Sequence, residues 1–265
     1  MSPLLFEKDD HVVTLTINRP ESRNPLGEEG DGERFAQAAE SINRDREIRC
    51  AILTGAGSAF SAGGNLKAMR EREGAFAGGG VHIRESYRNG IHRIVRALWG
   101  IEVPLIAALN GPAIGLGNDV ACLADIRVAA DTAIFGATFL KVGLVPGDGG
   151  AWILPRIIGQ SRAAELFFTA ETIDAKTALA WGLVSHVAPA TKLMEEARGL
   201  AHRICRQPPD VLRMTKRLMR EAQTGSFESI MEMSAAMQSL AHATADHQEA
   251  LAAFFEKRAP HFKGE

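Results

Sequence analysis

Leu105-Ile-Ala-Ala-Leu-Asn-Gly-Pro-Ala-Ile-Gly-Leu-Gly-Asn-Asp119 is a short apolar run that stops at a glycine-rich turn and opens into a helical segment, Leu116 to Ala124. The apolar stretch from Leu105 to Leu109 has the length of a strand buried on both faces, and Asn110-Gly111-Pro112 ends it. The same grammar occurs earlier, where Ile48 to Leu53 reads as a buried strand entering Thr54-Gly55-Ala56-Gly57. Ile126 to Ala129 reads as a third strand of this kind. Alternation of strand, turn and helix predicts an α/β chain with parallel strands, the units forming a loose repeat of unequal length. Further out, His11 to Asn18 alternates apolar and polar residues with β-branched enrichment, which is a strand pattern closed by Arg19-Pro20. Glu33 to Asn43 reads as an amphipathic helix.

Gly74 to Gly80 is rich in glycine and alanine and interrupts the helical pattern, the composition of a mobile functional loop. After Val187 the texture changes. Lys192 to Cys205, Pro209 to Ala222 and Phe227 to Phe255 carry helical periodicity without a strand signal. The expected division is therefore a core over residues 1–189 and a helical region over residues 190–265 whose apolar faces need a partner surface.

The length of 265 residues suits one large domain, and 46% hydrophobic with 23% charged residues is ordinary for a globular protein. A formal net charge of -2 gives no electrostatic case for nucleic acid or an anionic membrane. Cys50, Cys122 and Cys205 are far apart and lack metal-ligand spacing, so reduced core thiols are expected. Met1 to Asp10 lacks a signal-peptide pattern, and no apolar run reaches the ~20 residues of a membrane span. A cytoplasmic address is the expectation.

Several chemistries fall away. Gly115-Leu116-Gly117 is followed by Val120 where a dinucleotide fingerprint needs glycine, and neither a P-loop nor a Gly-x-Ser-x-Gly elbow occurs. No His-Glu-x-x-His spacing suggests zinc, so no metal is expected. What remains is two glycine-rich loops, Gly55 to Met69 and Ala108 to Asp119, each following a buried strand and leading into a helix. Loops of this kind bring backbone N–H groups close to a ligand, and two of them can serve one oxygen as an oxyanion hole. Tight strand–helix packing explains glycine there equally well.

Ala59-Phe-Ser-Ala-Gly-Gly-Asn-Leu66, Ala108 to Asp119, Asp125-Ile-Arg-Val-Ala-Ala130, Leu144-Val-Pro-Gly-Asp-Gly-Gly-Ala-Trp-Ile-Leu-Pro-Arg156, Ala180-Trp-Gly-Leu-Val-Ser-His-Val187 and Glu249-Ala-Leu-Ala-Ala-Phe-Phe-Glu-Lys-Arg258 resemble, in order, signatures of the crotonase (enoyl-CoA hydratase/isomerase) superfamily. The resemblance runs from about His11 to Lys263. It implies a spiral of ββα turns with a C-terminal helical trimerisation region, assembled as a trimer or dimer of trimers. It also implies an acyl-CoA substrate held by main-chain N–H groups of Gly64 and Leu116, with Ala62, Gly63, Asn65, Leu66, Gly115 and Phe139 lining its path. Phe254 and Lys257 would meet the CoA of a neighbouring subunit. No cofactor is implied, coenzyme A being part of the substrate.

Hydratases of this superfamily use two glutamates. Here the first position is Asp119 and the second is Phe139, whose ring exchanges no proton. Asp148 falls beside a position where isomerase-type members carry aspartate. Asp119 and Asp148 are thus the candidate acid/base groups, expected as ordinary ionised carboxylates. Asp119 equally suits a helix N-terminus and Asp148 a turn. The resemblance leans to double-bond isomerisation over hydration through a thioester enolate. Thioester hydrolysis, C–C cleavage and a non-catalytic acyl-CoA- or RNA-binding role are the alternatives. His82 and Tyr87 fit a solvated helix face better than an acyl pocket, and Trp152 a core or pocket wall.

Overall fold

The computed structural model describes residues 2–265. Two strands, β1 (Leu4–Asp9) and β2 (Val12–Ile17), form an antiparallel hairpin in which Leu4 faces Ile17 and Asp9 faces Val12. Helix α1 (Asp31–Arg44) follows, then β3 (Cys50–Gly55), α2 (Leu66–Glu71), α3 (Gly80–Asn89) and α4 (Ile91–Trp99). The central stretch gives β4 (Leu105–Leu109), β5 (Ala113–Ile114), α5 (Leu116–Cys122), β6 (Ile126–Ala130) and β7 (Ile134–Gly136). Next come α6 (Gly150–Ile158), α7 (Gln160–Thr169), β8 (Thr172–Asp174), α8 (Ala175–Trp181) and β9 (His186–Ala188). Four helices close the chain: α9 (Leu193–Cys205), α10 (Pro209–Glu221), α11 (Phe227–His242) and α12 (Ala245–Glu256).

The main sheet has the order β1-β2-β3-β4-β6-β9, parallel from β2 onward, and a smaller sheet has the order β5-β7-β8. Successive turns of chain supply a strand to the main sheet and then helix, and in β4–β5–α5 and β6–β7–α6 a short strand of the smaller sheet comes between them. This repeat is the ββα turn that the resemblance implies. Every residue of β3 and β4 is buried, as their largely apolar composition requires, and the one polar side chain, Thr54, donates to the Ala108 carbonyl at 2.8 Å. Fully burying each Val, Leu or Ile there contributes roughly 1.5–3 kcal/mol. The three cysteines are free and buried.

Strand β1 has no counterpart in the hydrophobic pattern. Only Leu4 is buried in Leu4–Asp9, because an edge strand open to solvent needs no alternation and its charges discourage further pairing. The Gly74 to Gly80 block contains a single 3-10 turn, Gly74–Phe76, and ends where α3 begins. The helical stretch from Phe227 is two helices. Thr244 separates them, its side chain accepting the His247 N–H at 3.1 Å as the N-cap of α12.

Helix α9 lies on the main sheet through Leu193, Ala197 and Ala201. Helix α10 docks through two buried cations. Lys216 Nζ donates to the Val103 carbonyl at 2.7 Å and pairs with Asp125 at 2.6 Å, while Arg213 donates to the Ile48 carbonyl and pairs with Glu102 at 3.0 Å. Helix α11 buries none of its residues.

Candidate active site

The two glycine-rich loops meet where the smaller sheet begins. Ser61 forms a parallel bridge with Ala113, its N–H donating to the Pro112 carbonyl and its own carbonyl accepting from Ile114, both at 3.0 Å. The Ser61 hydroxyl donates to the Asn24 carbonyl at 2.7 Å and accepts the Gly63 N–H at 3.2 Å. Gly63 has φ +94°, and a Cβ there would lie 2.6 Å from the Ile114 carbonyl oxygen and 3.6 Å from the Leu116 nitrogen. The chain therefore needs glycine at 63 for two reasons: the left-handed backbone and the closeness of the second loop. The Leu116 N–H is the first of α5 and finds no intrahelical acceptor. Among the described residues, neither it nor the Gly64 N–H donates a hydrogen bond.

All of α5 is buried, which carries Asp119 into the interior one turn beyond Leu116. One Asp119 oxygen, Oδ2, accepts the Gly150 N–H at 3.0 Å; the other, Oδ1, is buried without a partner. A Cβ at Gly150 would fall inside the radii of both carboxyl oxygens, so glycine is what admits the carboxyl to the start of α6. Burial, and then the charge of Asp148, push the Asp119 carboxyl well above the usual range against that N–H bond. The Asn118 amide opposes the rise weakly from nearby, and both its polar atoms are buried without a hydrogen bond of normal geometry.

Asp148 sits between Gly147 and Gly149 on the turn before α6, only 5% exposed. Burial pushes its carboxyl up to about 6, and its Oδ1 has no partner. Of the two, Asp119 is the more enclosed, and burial together with the neighbouring Asp148 charge favours its protonated form more than burial alone favours that of Asp148. Where ordinary carboxylates are expected, both are shifted upward, because burial disfavours the charged form of each.

Tyr87 also departs from expectation. It is half-buried and edge-on to His92, with ring centroids 6.0 Å apart. A Cβ on Gly147 would be 3.6 Å from its ring. Burial first, and Asp148's charge second, raise its phenol. His82 is exposed, as expected. His92 carried no signal in the sequence. Its Nε2 donates to the Gly147 carbonyl at 2.8 Å, which requires the Nε2–H tautomer because a carbonyl only accepts. The kink at Gly90 between α3 and α4 brings Tyr87 and His92 together, and periodicity does not reveal it.

The remaining candidates divide. Phe139 is buried against the second loop, its ring 3.9 Å from a Cβ placed on Gly115. Gly115 donates to the Gly136 carbonyl at 2.8 Å, tying the loop to β7. Asn65 caps α2, and its amide donates to Glu28 at 3.1 Å. Ala62 and Leu66 are exposed on the same segment. Phe254 and Lys257 lie at the exposed end of α12 and form no hydrogen bond to either loop. Trp152 is partly exposed, edge-on to Trp99 at 5.3 Å, with Arg156 4.2 Å over its ring. Among the described residues no group of three or more His, Cys, Asp and Glu side chains could hold a metal.

A stability measurement checks the ionisation of Asp148. Its folded-state value of about 6 lies above the unfolded ~3.9, so the native chain binds the extra proton between these values. The stability it contributes is full below about pH 4 and is lost as pH rises to about 6. Asp148→Asn is therefore expected to be more stable than the wild type at pH 7.5, on the order of 2–3 kcal/mol, with the gap closing toward pH 4. Urea melts at several pH values measure it; a gap independent of pH contradicts it.

Comparison with known proteins gives the site its family. The model of the enoyl-CoA hydratase/isomerase family matches residues 7–265. A 1,2-epoxyphenylacetyl-CoA isomerase of Escherichia coli is 34% identical over 264 residues, spanning 100% of this chain and 99% of its own length. A probable enoyl-CoA hydratase of Mycobacterium tuberculosis is 35% identical over 98% of this chain and 97% of its own length. The crystal structure of an enoyl-CoA hydratase from Bacillus anthracis superposes with a TM-score of 0.93 over the whole of both chains at 32% identity. Sequence, fold and full-length coverage agree, and the chain belongs to the enoyl-CoA hydratase/isomerase family, an enzyme of the crotonase superfamily.

Proposed function

We propose that this enzyme moves the double bond of an unsaturated acyl-CoA through a thioester enolate. The carrying observation is a pair of buried carboxyls beside unpaired main-chain donors: Asp119 one turn beyond the free N–H of Leu116, and Asp148 on the turn that leads to the Gly150 N–H bonded to Asp119. In this reading the thioester oxygen accepts both N–H groups. Asp148 takes a proton from Cγ of an α,β-unsaturated acyl group, the electrons move through Cβ and Cα onto the oxygen, and Asp119 returns its proton to Cα. Each turnover leaves the proton on Asp148 and Asp119 ionised, so a proton passes from Asp148 back to Asp119 before the next, and the pair needs no outside base. Each N–H donor aimed at developing charge is worth about 3–4 kcal/mol in such sites. Phe139, buried against Gly115 of the second loop, supplies an apolar wall to the site. No cofactor is required beyond the coenzyme A of the substrate. Ala62, Asn65 and Leu66 would meet its nucleotide portion.

Hydration is the second reading, favoured by the same complementary pair. Asp148 would activate water for Cβ and Asp119 would protonate Cα, and several relatives carry hydratase names. Mass spectrometry of the product from an α,β-unsaturated acyl-CoA separates the readings. Isomerisation leaves the mass unchanged with the double bond moved, hydration adds one water, and release of free CoA would support hydrolysis. Intact, unexchanged substrate with every acyl chain offered would sink the enzymatic reading.

Self-association belongs to this proposal. Phe227, Met231, Leu240, Leu251, Phe254 and Phe255 of α11 and α12 are exposed, an apolar surface that a second copy would cover. Phe254 and Lys257 would then reach a neighbour's substrate. Sedimentation is expected to give three or six times the 28.5 kDa chain mass; a monomer at micromolar concentration refutes it.

A further inference from the structure

The segment that carries Asp148 is poorly held by its own backbone. Leu144 donates to the Phe139 carbonyl, and Gly149 accepts from Trp152 and Ile153 at the start of α6. Between these anchors a turn spans Gly147–Gly149, but no main-chain group from Val145 to Asp148 makes a main-chain hydrogen bond of normal geometry among the described residues. The one bond to the backbone of this stretch is from His92 Nε2 to the Gly147 carbonyl, 2.8 Å. Glycine on both sides of Asp148 leaves the turn free to rotate, and Val145 is 76% exposed, so water is close at hand. An ionised carboxylate gains solvation by swinging out. Something must oppose that swing for Asp148 to remain inside.

His92 is placed to do so. It lies in the first turn of α4, which is anchored in the core by Ile91, Ile94 and Leu98. Tyr87 packs its edge on the imidazole at an interplanar angle of 74°, and Phe76 packs on Tyr87 in turn at 70°. We propose that His92 is a positioning residue for Asp148, pinning the turn through the Gly147 carbonyl so that the carboxylate stays beside Asp119. This rests on Asp148 being a proton carrier only for its effect on turnover. The titratable groups that face Asp148 are Asp119 from α5, Tyr87 from α3 and His92 itself from α4.

Glutamine and asparagine test the pin. The amide nitrogen of His92→Gln reaches the Nε2 position and can donate to the same carbonyl, whereas that of His92→Asn stops short. In protein labelled with ¹³C at aspartate carboxyls and free of ligand, His92→Asn is expected to move the Asp148 titration down toward the ordinary carboxylate range, and His92→Gln to leave it in place. With substrate, His92→Asn should lower kcat by roughly 10-fold or more with KM within about twofold, and His92→Gln should recover most of the loss. An Asp148 titration unchanged in folded His92→Asn, or moved equally in both variants, overturns the proposal. A moved titration with unchanged kcat upholds the pin and instead removes Asp148 from the reaction.

Discussion

Asp148→Asn is expected to lower kcat by roughly 10²–10⁴-fold while acyl-CoA binding stays within a few-fold of the wild type. Asparagine matches aspartate in shape and is as easily enclosed, but it cannot take a proton. Asp119→Asn should lose a comparable share for the complementary reason. Its oxygen still accepts the Gly150 N–H that holds the carboxyl now, and its amide donates no acidic proton to carbon. Asp148 takes one proton and Asp119 delivers another, and the cycle closes only when both have acted, so the double variant should be little worse than the poorer single one. Additive losses would mean that each carboxyl acts without the other. Stopped-flow turnover with equilibrium titration of the substrate CoA thioester measures both quantities, and a wild-type kcat in Asp148→Asn refutes the role.

Gly63→Ala is the second change with a large expected effect. The new methyl would meet the Ile114 carbonyl at 2.6 Å in a backbone with φ +94°, so one loop must withdraw from the other. Left-handed strain in a non-glycine residue costs on the order of 1–3 kcal/mol before any overlap is counted. Displacing one N–H donor by about 1 Å is enough to reduce kcat/KM by roughly 10²-fold. Gly79→Ala is the matched control, because nothing lies within 4 Å of its added methyl and its φ is an ordinary -92°. Melting temperature and kcat/KM should both fall in Gly63→Ala and both hold in Gly79→Ala. A fully active Gly63→Ala would show that the loops need not touch.

The parts of the fold legible in the sequence are those where composition follows burial directly. Leu105–Leu109 is apolar throughout and Cys50–Gly55 apolar but for Thr54 because they are covered on both faces, and the glycines after them mark where two loops cross. Strand β1 escapes because pairing on one side only demands little of its side chains. The order of the motifs carries the family. The protonation states do not follow from residue identity: Asp119 reads as an ordinary acid until α5 is seen to be wholly buried with Asp148 beside it. Tyr87 and His92 escape for a different reason. Their importance comes from a kink at Gly90 and a single bond to the Gly147 carbonyl, and neither leaves a periodic trace.

A crystal structure with a non-isomerisable acyl-CoA analogue bound tests the central claim most directly. The thioester oxygen is expected within about 3 Å of both the Gly64 and Leu116 nitrogens, with the Asp119 carboxyl nearest Cα and the Asp148 carboxyl farther along the acyl chain. A thioester oxygen bonded elsewhere, or an acyl chain that passes neither carboxyl, would contradict it.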